Sequence, residues 1–302
     1  MSMRIPAEVS IVEVGPRDGL QNERQMLPTA EKIRLVEKLA AAGFREIEVT
    51  SFTSPKWIPN LADADEVVRA VRDFGFKPFG LVPNRRGLER AVAAGVGGVT
   101  FVFSATDGHN VRNLNRTSEE SLSEVLVLED ETRRAGLDTR ISLSVVFGCP
   151  FEGAVPEDRV EAIVARLVEA GSTRIGLCDT IGVADPAQVF RLSSRMRERF
   201  PAVLFELHLH DTRGRALANL MAGIEAGIAS FDAAVGGLGG CPYAPGATGN
   251  VATEDVVSML HAMGVRTGID EEALLGAANL LGDWRDRPLD SATWRTRRAA
   301  AA

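Results

Sequence analysis

The sequence predicts an α/β fold, a closed (β/α)8 barrel (a TIM barrel) with a short C-terminal helical extension. Three observations point there. Short β-rich segments alternate with longer helical ones, which implies parallel strands joined by helices. Eight such βα units can be counted. Polar and glycine-rich residues gather after the strands, at the end where barrels of this kind carry their sites. A doubly wound open sheet is the rival arrangement for the same alternation.

The strands are expected at Val9–Val14, Glu46–Val49, Lys77–Val82, Gly98–Phe103, Arg140–Val146, Thr173–Cys178, Val203–His208 and Ser230–Val235. The helices are expected near 30–42, 63–74, 84–94, 119–135, 156–170, 186–199, 213–226 and 254–263. Thr117-Ser118-Glu119-Glu120 reads as a capping box, in which a hydroxyl and a carboxylate satisfy free N–H groups at a helix start. Asp185-Pro186 places an N-cap before a proline at the first helical position. Gly43, Gly95, Gly136, Gly171, Gly227 and Gly264 each follow a helical run, as left-handed C-caps do. Residues 1–268 are assigned to the barrel. Residues 269–302 form a helical appendix, Glu271–Leu281, followed by a polar, arginine-rich tail that is expected to be disordered and frayed at Ala299–Ala302.

With 302 residues, 45% hydrophobic and 25% charged, the chain has an ordinary globular balance. The net charge of −7 supplies no general positive field, so no nucleic-acid partner is expected. No apolar run reaches the roughly 18 residues of a membrane span, so no membrane partner is expected either. Three cysteines do not make a disulfide framework. The start, Met1-Ser2-Met3-Arg4-Ile5-Pro6, lacks the apolar stretch of a signal peptide, and with free cysteines this points to a reducing cytoplasm.

His208 and His210 stand two residues apart at the end of the seventh strand, so both imidazoles face the same way. Alone, such a pair reads as two hydrogen-bonded polar residues. Asp18 changes that reading, because in a closed barrel the first and seventh strands are separated only by the eighth. Asn250 adds an amide oxygen. A mixed nitrogen and oxygen set without thiolate suits Mg2+ or Mn2+ better than structural zinc, although Zn2+, Co2+ or Ni2+ also accept imidazole. Arg17 is either a catalytic cation that stabilises a developing enolate or the partner of a neighbouring carboxylate. Cys241, among glycines, is either a small residue in a tight loop or a proton donor on a flexible lid. Glu48 can orient a ligand from behind. Glu206 faces the same way as the histidines, as a support for them or as part of the barrel floor. Asp211 and Thr212 are expected to cap the next helix. His109 and His261 are read as loop and helix-surface residues. Cys149 and Cys178 are read as structural.

Four segments carry a resemblance to the hydroxymethylglutaryl-CoA lyase family. They are Val12–Glu23 with its Gly15-Pro16-Arg17-Asp18-Gly19 core, Glu48-Val49-Thr50-Ser51-Phe52, His208-Leu209-His210-Asp211-Thr212 and Gly237-Leu238-Gly239-Gly240-Cys241-Pro242-Tyr243. The match covers about residues 8 to 265, with the segments in order after the expected strands. The resemblance implies a divalent cation, Mg2+ or Mn2+, held by Asp18, His208, His210 and Asn250, with no organic cofactor. It implies Arg17 in transition-state stabilisation, Cys241 on a mobile loop and Asp179 near the substrate. The base is His208 or Asp18. The family reaction is a retro-Claisen cleavage of an acyl-CoA thioester, giving acetyl-CoA and acetoacetate from hydroxymethylglutaryl-CoA, and family members are commonly homodimers. The sequence departs from the family pattern at Ile175-Gly176-Leu177-Cys178, at Ala105–Asn113, and at Pro245 and Thr248. These positions border the acyl group, so a longer-branched or malate-like 3-hydroxyacyl-CoA is an alternative substrate. A free-acid aldolase or condensing enzyme of the same barrel group is a further alternative, and a non-catalytic metal-binding barrel a third. Lys56 and Arg112 are candidates for the CoA phosphates.

Overall fold

In the computed structural model of the protein, residues 5–240 and 249–301 are described. Eight strands close into a parallel barrel in sequence order: β1 Ser10–Glu13, β2 Glu46–Ser51, β3 Lys77–Leu81, β4 Gly98–Ser104, β5 Asp138–Ser144, β6 Arg174–Asp179, β7 Leu204–Leu209 and β8 Ser230–Ala233. β8 pairs with both β7 and β1, which leaves no free edge. The open-sheet rival is thereby excluded.

The helices are α1 Thr29–Ala41, α2 Ala64–Val71, α3 Arg85–Ala94, α4 Asp107–Leu114, α5 Ser118–Arg134, α6 Glu157–Glu169, α7 Pro186–Arg199, α8 Ala216–Glu225, α9 Thr253–Ala262, α10 Glu271–Trp284 and α11 Ala292–Ala301. The Thr117/Glu120 capping box forms at α5, and the Asp185 carboxylate accepts from Gln188 N–H at α7. All six glycines expected as C-caps have positive φ.

Two elements differ from the sequence expectation. Ala105–Asn113 reads as a loop because Gly108 and two asparagines lower its helix propensity, yet most of it is helix α4. Buried Asn110 supplies the reason. Its side chain accepts from Ser104 N–H and donates to the Arg116 and Thr117 carbonyls and to Ser121 Oγ, pinning α4 between β4 and α5. The expected disordered tail is α11. Asp255 of α9 accepts from Ala292 and Thr293 N–H, and Trp294 is buried against α10. A Cβ on Gly282 would lie 2.3 Å from the Trp294 ring, so α10 and α11 pack this closely only with glycine there. Both corrections have one cause: a cap or anchor distant in sequence outweighs local propensity.

The strand faces turned outward are apolar. Phe101, Phe103, Ile141, Leu143, Ile175 and Leu207 are fully buried in the main hydrophobic core. The interior is polar. Arg140 of β5 reaches Glu206 of β7 (2.9 Å), Asp232 of β8 (2.5 Å) and Glu48 of β2 (3.6 Å). Arg174 adds ion pairs to Glu206 and Glu46. Removing one partner of such a network leaves buried charges uncompensated. Arg140→Met is therefore expected to destabilise the protein by about 3–5 kcal/mol in urea unfolding; a loss below about 1 kcal/mol would show that the network is not structural.

Two further buried carboxylates tie the top of β1 to the segment after β8. Glu13 accepts from Gly15 and Val235 N–H and from Thr253 Oγ1, while Glu254 accepts from Gly236 N–H. Burial pushes Glu13 up to about 7 and Glu254 up to about 8. Each takes up a proton on folding above its ordinary value near 4.5, so the stability it contributes is complete below that pH and declines as pH rises towards the folded value. The melting temperature of Glu254→Gln is expected to fall less steeply than that of the unmodified protein between pH 5 and 8; parallel curves would contradict this.

Candidate active site

The site is assembled at the C-terminal ends of the strands. After β1 the chain makes one π-helical turn, Gly15–Gly19, in which the N–H groups of Arg17, Asp18 and Gly19 all converge on the Val14 carbonyl. The turn brings Arg17 and Asp18 over the barrel mouth. The Arg17 guanidinium bonds the Glu48 carboxylate through Nε and Asp18 Oδ1 through NH1 at 2.5 Å. Glu48 also accepts from Thr100 Oγ1 at 2.6 Å. Glu48 therefore fixes Arg17 from behind, so Arg17 has a carboxylate partner and at the same time lines the cavity over the site.

His208 is the last residue but one of β7, and His210 follows the strand's final residue, Leu209. Their Nε2 atoms lie 3.1 Å apart, each 3.9 Å from Asp18 Oδ2. One donor atom from each of the three residues falls within a 4.8 Å cluster. The Asn250 amide donates to Asp18 Oδ2 at 2.7 Å, so Asn250 also reaches this point; a half-turn of the amide exchanges its nitrogen for its oxygen. His210 and Asn250 are held together by a backbone bridge. Two imidazoles, a carboxylate and an amide thus meet as the sequence expectation has them.

The surroundings fit a divalent cation. His208 Nδ1 lies 3.1 Å from Asp232 Oδ2, so a proton held there leaves Nε2 free to ligate. Burial disfavours the charged form of His208, but Asp232 and Asp18 outweigh it and raise the pKa, marking a position that attracts positive charge. Burial, then His208, lowers His210 to about 4, which keeps that ring neutral as a ligand must be. Burial alone would raise Asp18, but Arg17 and then the two histidines hold it far below the usual carboxylate range. Carboxylates outnumber guanidiniums in the connected set of Asp18, Glu46, Glu48, Glu206, Asp232, Arg17, Arg140 and Arg174.

Asp179 is buried beside the site, and its two oxygens accept from Val183 and Ala184 N–H at 2.9 and 3.1 Å. Its carboxylate holds the loop after β6, and burial pushes it up to about 6. Glu206 is part of the floor network rather than a support for the histidines. Asp211 accepts from Ala216 N–H at the start of α8, whereas Thr212 makes no such bond among the described residues. Cys241 lies outside the described residues, as do Pro245 and Thr248. The described residues flanking that segment are in close contact: a Cβ on Gly249 would lie 2.5 Å from the Gly239 carbonyl, and Gly239 itself has φ 112°.

A cavity of about 540 Å3 opens over these groups, and Arg17, Asp18, His208 and His210 lie in its wall. His109 is not in a loop. It is buried in the cavity wall on α4, with Nδ1 2.6 Å from Ser104 Oγ, and burial lowers it to about 4. Arg112 is on α4 rather than in a loop and lies over the Phe151 ring, again in the cavity wall. Lys56 is exposed and does not line the cavity. Asp232 and Arg140 were not singled out by the sequence reading. The signal for both was a charge at an inward strand position amid apolar neighbours, in the same alternation as His208.

The HMGL-like family model matches residues 8–281. The hydroxymethylglutaryl-CoA lyase YngG of Bacillus subtilis is 46% identical over 290 residues, covering 96% of this chain and 97% of that protein. An (R)-citramalyl-CoA lyase of Chloroflexus aurantiacus is 44% identical over 292 residues, 93% of this chain and 92% of the other. The solved structure of an HMG-CoA lyase from Acinetobacter baumannii, in complex with coenzyme A and 3-methylmalate, matches with a TM-score of 0.90 at 38% identity, over 95% of this chain and 94% of that one. Barrel, residue cluster and near full-length similarity agree: the chain belongs to the HMGL-like family.

Proposed function

We propose that this protein is a divalent-metal-dependent carbon–carbon lyase that cleaves 3-hydroxy-3-methylglutaryl-CoA to acetyl-CoA and acetoacetate. The observation that carries the reading is the convergence of Asp18, His208 and His210 beside Arg17, in a chain nearly half identical to a lyase of that name. Asp18, His208, His210 and the Asn250 amide would hold Mg2+ or Mn2+. When bound, the cation acts as a Lewis acid that lowers the pKa of the substrate hydroxyl. His208 or Asp18 accepts the hydroxyl proton. The bond between C2 and C3 then breaks, its electron pair moving to C2 and the thioester carbonyl. Arg17, held by Glu48, stabilises the negative charge of that enolate. Cys241, on the family resemblance, helps return a proton to C2, completing the acetyl group. Asp179 acts on the substrate through the loop it holds. The CoA moiety would leave through the cavity mouth past Arg112. We place the protein in the cytoplasm as a homodimer; no helix among the described residues is long and apolar enough to cross a membrane.

One observation favours a second reading. The (R)-citramalyl-CoA lyase relative is almost as similar as the first, and the same steps on citramalyl-CoA yield acetyl-CoA and pyruvate. The two readings separate by product: acetoacetate from hydroxymethylglutaryl-CoA, or pyruvate from citramalyl-CoA, each assayed with acetyl-CoA release under Mg2+ or Mn2+.

Chelation with EDTA is expected to abolish turnover, and Mg2+ or Mn2+ to restore it; turnover that survives chelation would sink the metal-dependent reading. Arg17→Gln is expected to lower kcat by about 100-fold or more with little change in KM, and a variant at full kcat would remove Arg17 from the mechanism. Asp232→Asn is expected to weaken Mn2+ affinity by about 10–100-fold in a direct titration. An unchanged affinity would show that Asp232 does not orient His208.

A further inference from the structure

The segment after α10 buries a cation that the proposed mechanism does not use. Arg285 directly follows α10, and its side chain is only 2% exposed. The guanidinium donates to both Glu23 oxygens, at 2.9 and 3.4 Å, and to Asp290 Oδ2 at 3.4 Å. Glu23 lies in the stretch that joins the π-helical turn of Arg17 and Asp18 to α1. The same C-terminal segment also reaches the chain after β8. Asp290 N–H donates to the Gly236 carbonyl, and a Cβ on Gly236 would lie 3.0 Å from the Leu289 side chain.

Burying a guanidinium carries a desolvation cost that close, well-oriented carboxylates must offset. In return its planar fork fixes the carboxylate it binds in one orientation. The neighbours of Glu23 show what that orientation serves. Gln21 and Asn22 line the cavity over the site. Asn22 Nδ2 donates to the Gly240 carbonyl at 3.2 Å, joining the chain after β1 to the chain after β8 at the cavity wall. The Asn60 amide donates to the carbonyls of Leu20, Gln21 and Glu23. This stretch is thus gripped by Asn60 through its backbone and by Arg285 through the Glu23 side chain. Arg17 and Asp18 do not depend on that grip. Glu48 holds Arg17, while Arg17 and Asn250 hold Asp18.

We infer that Arg285 is a positioning residue for acyl-CoA binding, acting through Glu23 to set Asn22 in the cavity wall. The inference rests on the lyase reading. It makes the C-terminal segment part of the substrate site. Because the reacting groups are held independently, Asn22 serves substrate and transition state alike. Loss of the clamp therefore falls on KM and spares kcat.

The test measures KM, kcat and melting temperature on the metal-loaded protein, with hydroxymethylglutaryl-CoA, or with citramalyl-CoA if that is the thioester cleaved. Arg285→Met is expected to raise KM about tenfold with kcat within about twofold. Asn22→Ala, at an exposed residue, should raise KM by a similar factor. The two together should raise it no further than either alone, since residues acting through one contact are not additive. Arg285→Met leaves the Glu23 carboxylate without its partner and should lower the melting temperature. Arg285→Met with Glu23→Gln removes both charges; it should regain most of that loss and keep the raised KM. If KM recovers together with the melting temperature, the clamp is structural only and the inference fails while the lyase reading stands. The inference fails equally if Asn22→Ala leaves KM unchanged or if the two effects multiply. If the unmodified protein cleaves no thioester, the lyase reading fails and takes this inference with it.

Discussion

Arg140 lies in the floor of the barrel with the carboxylates of Glu206, Asp232 and Glu48 around its guanidinium. Two of these carboxylates have a second partner in the site. Asp232 accepts from His208, and Glu48 from Arg17. Four strands, β2, β5, β7 and β8, are thus joined by one buried cation, and the proposed ligand and the proposed enolate stabiliser hang from the same hub. A lone buried guanidinium would carry a large desolvation cost, offset only when its partners are close and well oriented. The positions of Arg17 and His208 are therefore consequences of how the barrel satisfies its interior charge.

That arrangement gives each of these side chains a fixed partner. Arg17 cannot swing away without leaving Glu48 and Asp18 short of a partner. His208 has its ring plane set by Asp232. Val145, just beyond β5, holds a left-handed φ of 58° that a β-branched residue seldom adopts, and its N–H is tied to Thr180 Oγ1 beside Asp179. Gly239 and Gly249 bring two backbone segments into contact next to Asn250, as residues with side chains could not. Preorganisation of this kind lets fixed dipoles and charges act on a developing enolate without reorganising first.

Much of this was legible in the sequence, for local reasons. The βα alternation, the caps at Thr117 and Asp185, and the glycine C-caps follow from neighbouring residues, and each forms as expected. The His-x-His pair was legible because strand periodicity alone puts both rings on one face. What escaped depends on partners remote in sequence. Helix α4 exists because Asn110 is bonded to β4 and α5, and α11 because Asp255 on another helix caps it. His109 was misplaced with α4. Asp232 and Arg140 were visible as charges in apolar strands, but only closure of the barrel tells which charges meet.

The central claim is that this hub presents two histidines and an aspartate to one divalent cation. Electron paramagnetic resonance of the Mn2+-loaded protein, with echo modulation to detect coupled nitrogen, tests it most directly. The account predicts coupling to two imidazole nitrogens, reduced to one in His210→Ala. Mn2+ bound without imidazole coupling, or with coupling unchanged in that variant, would contradict it.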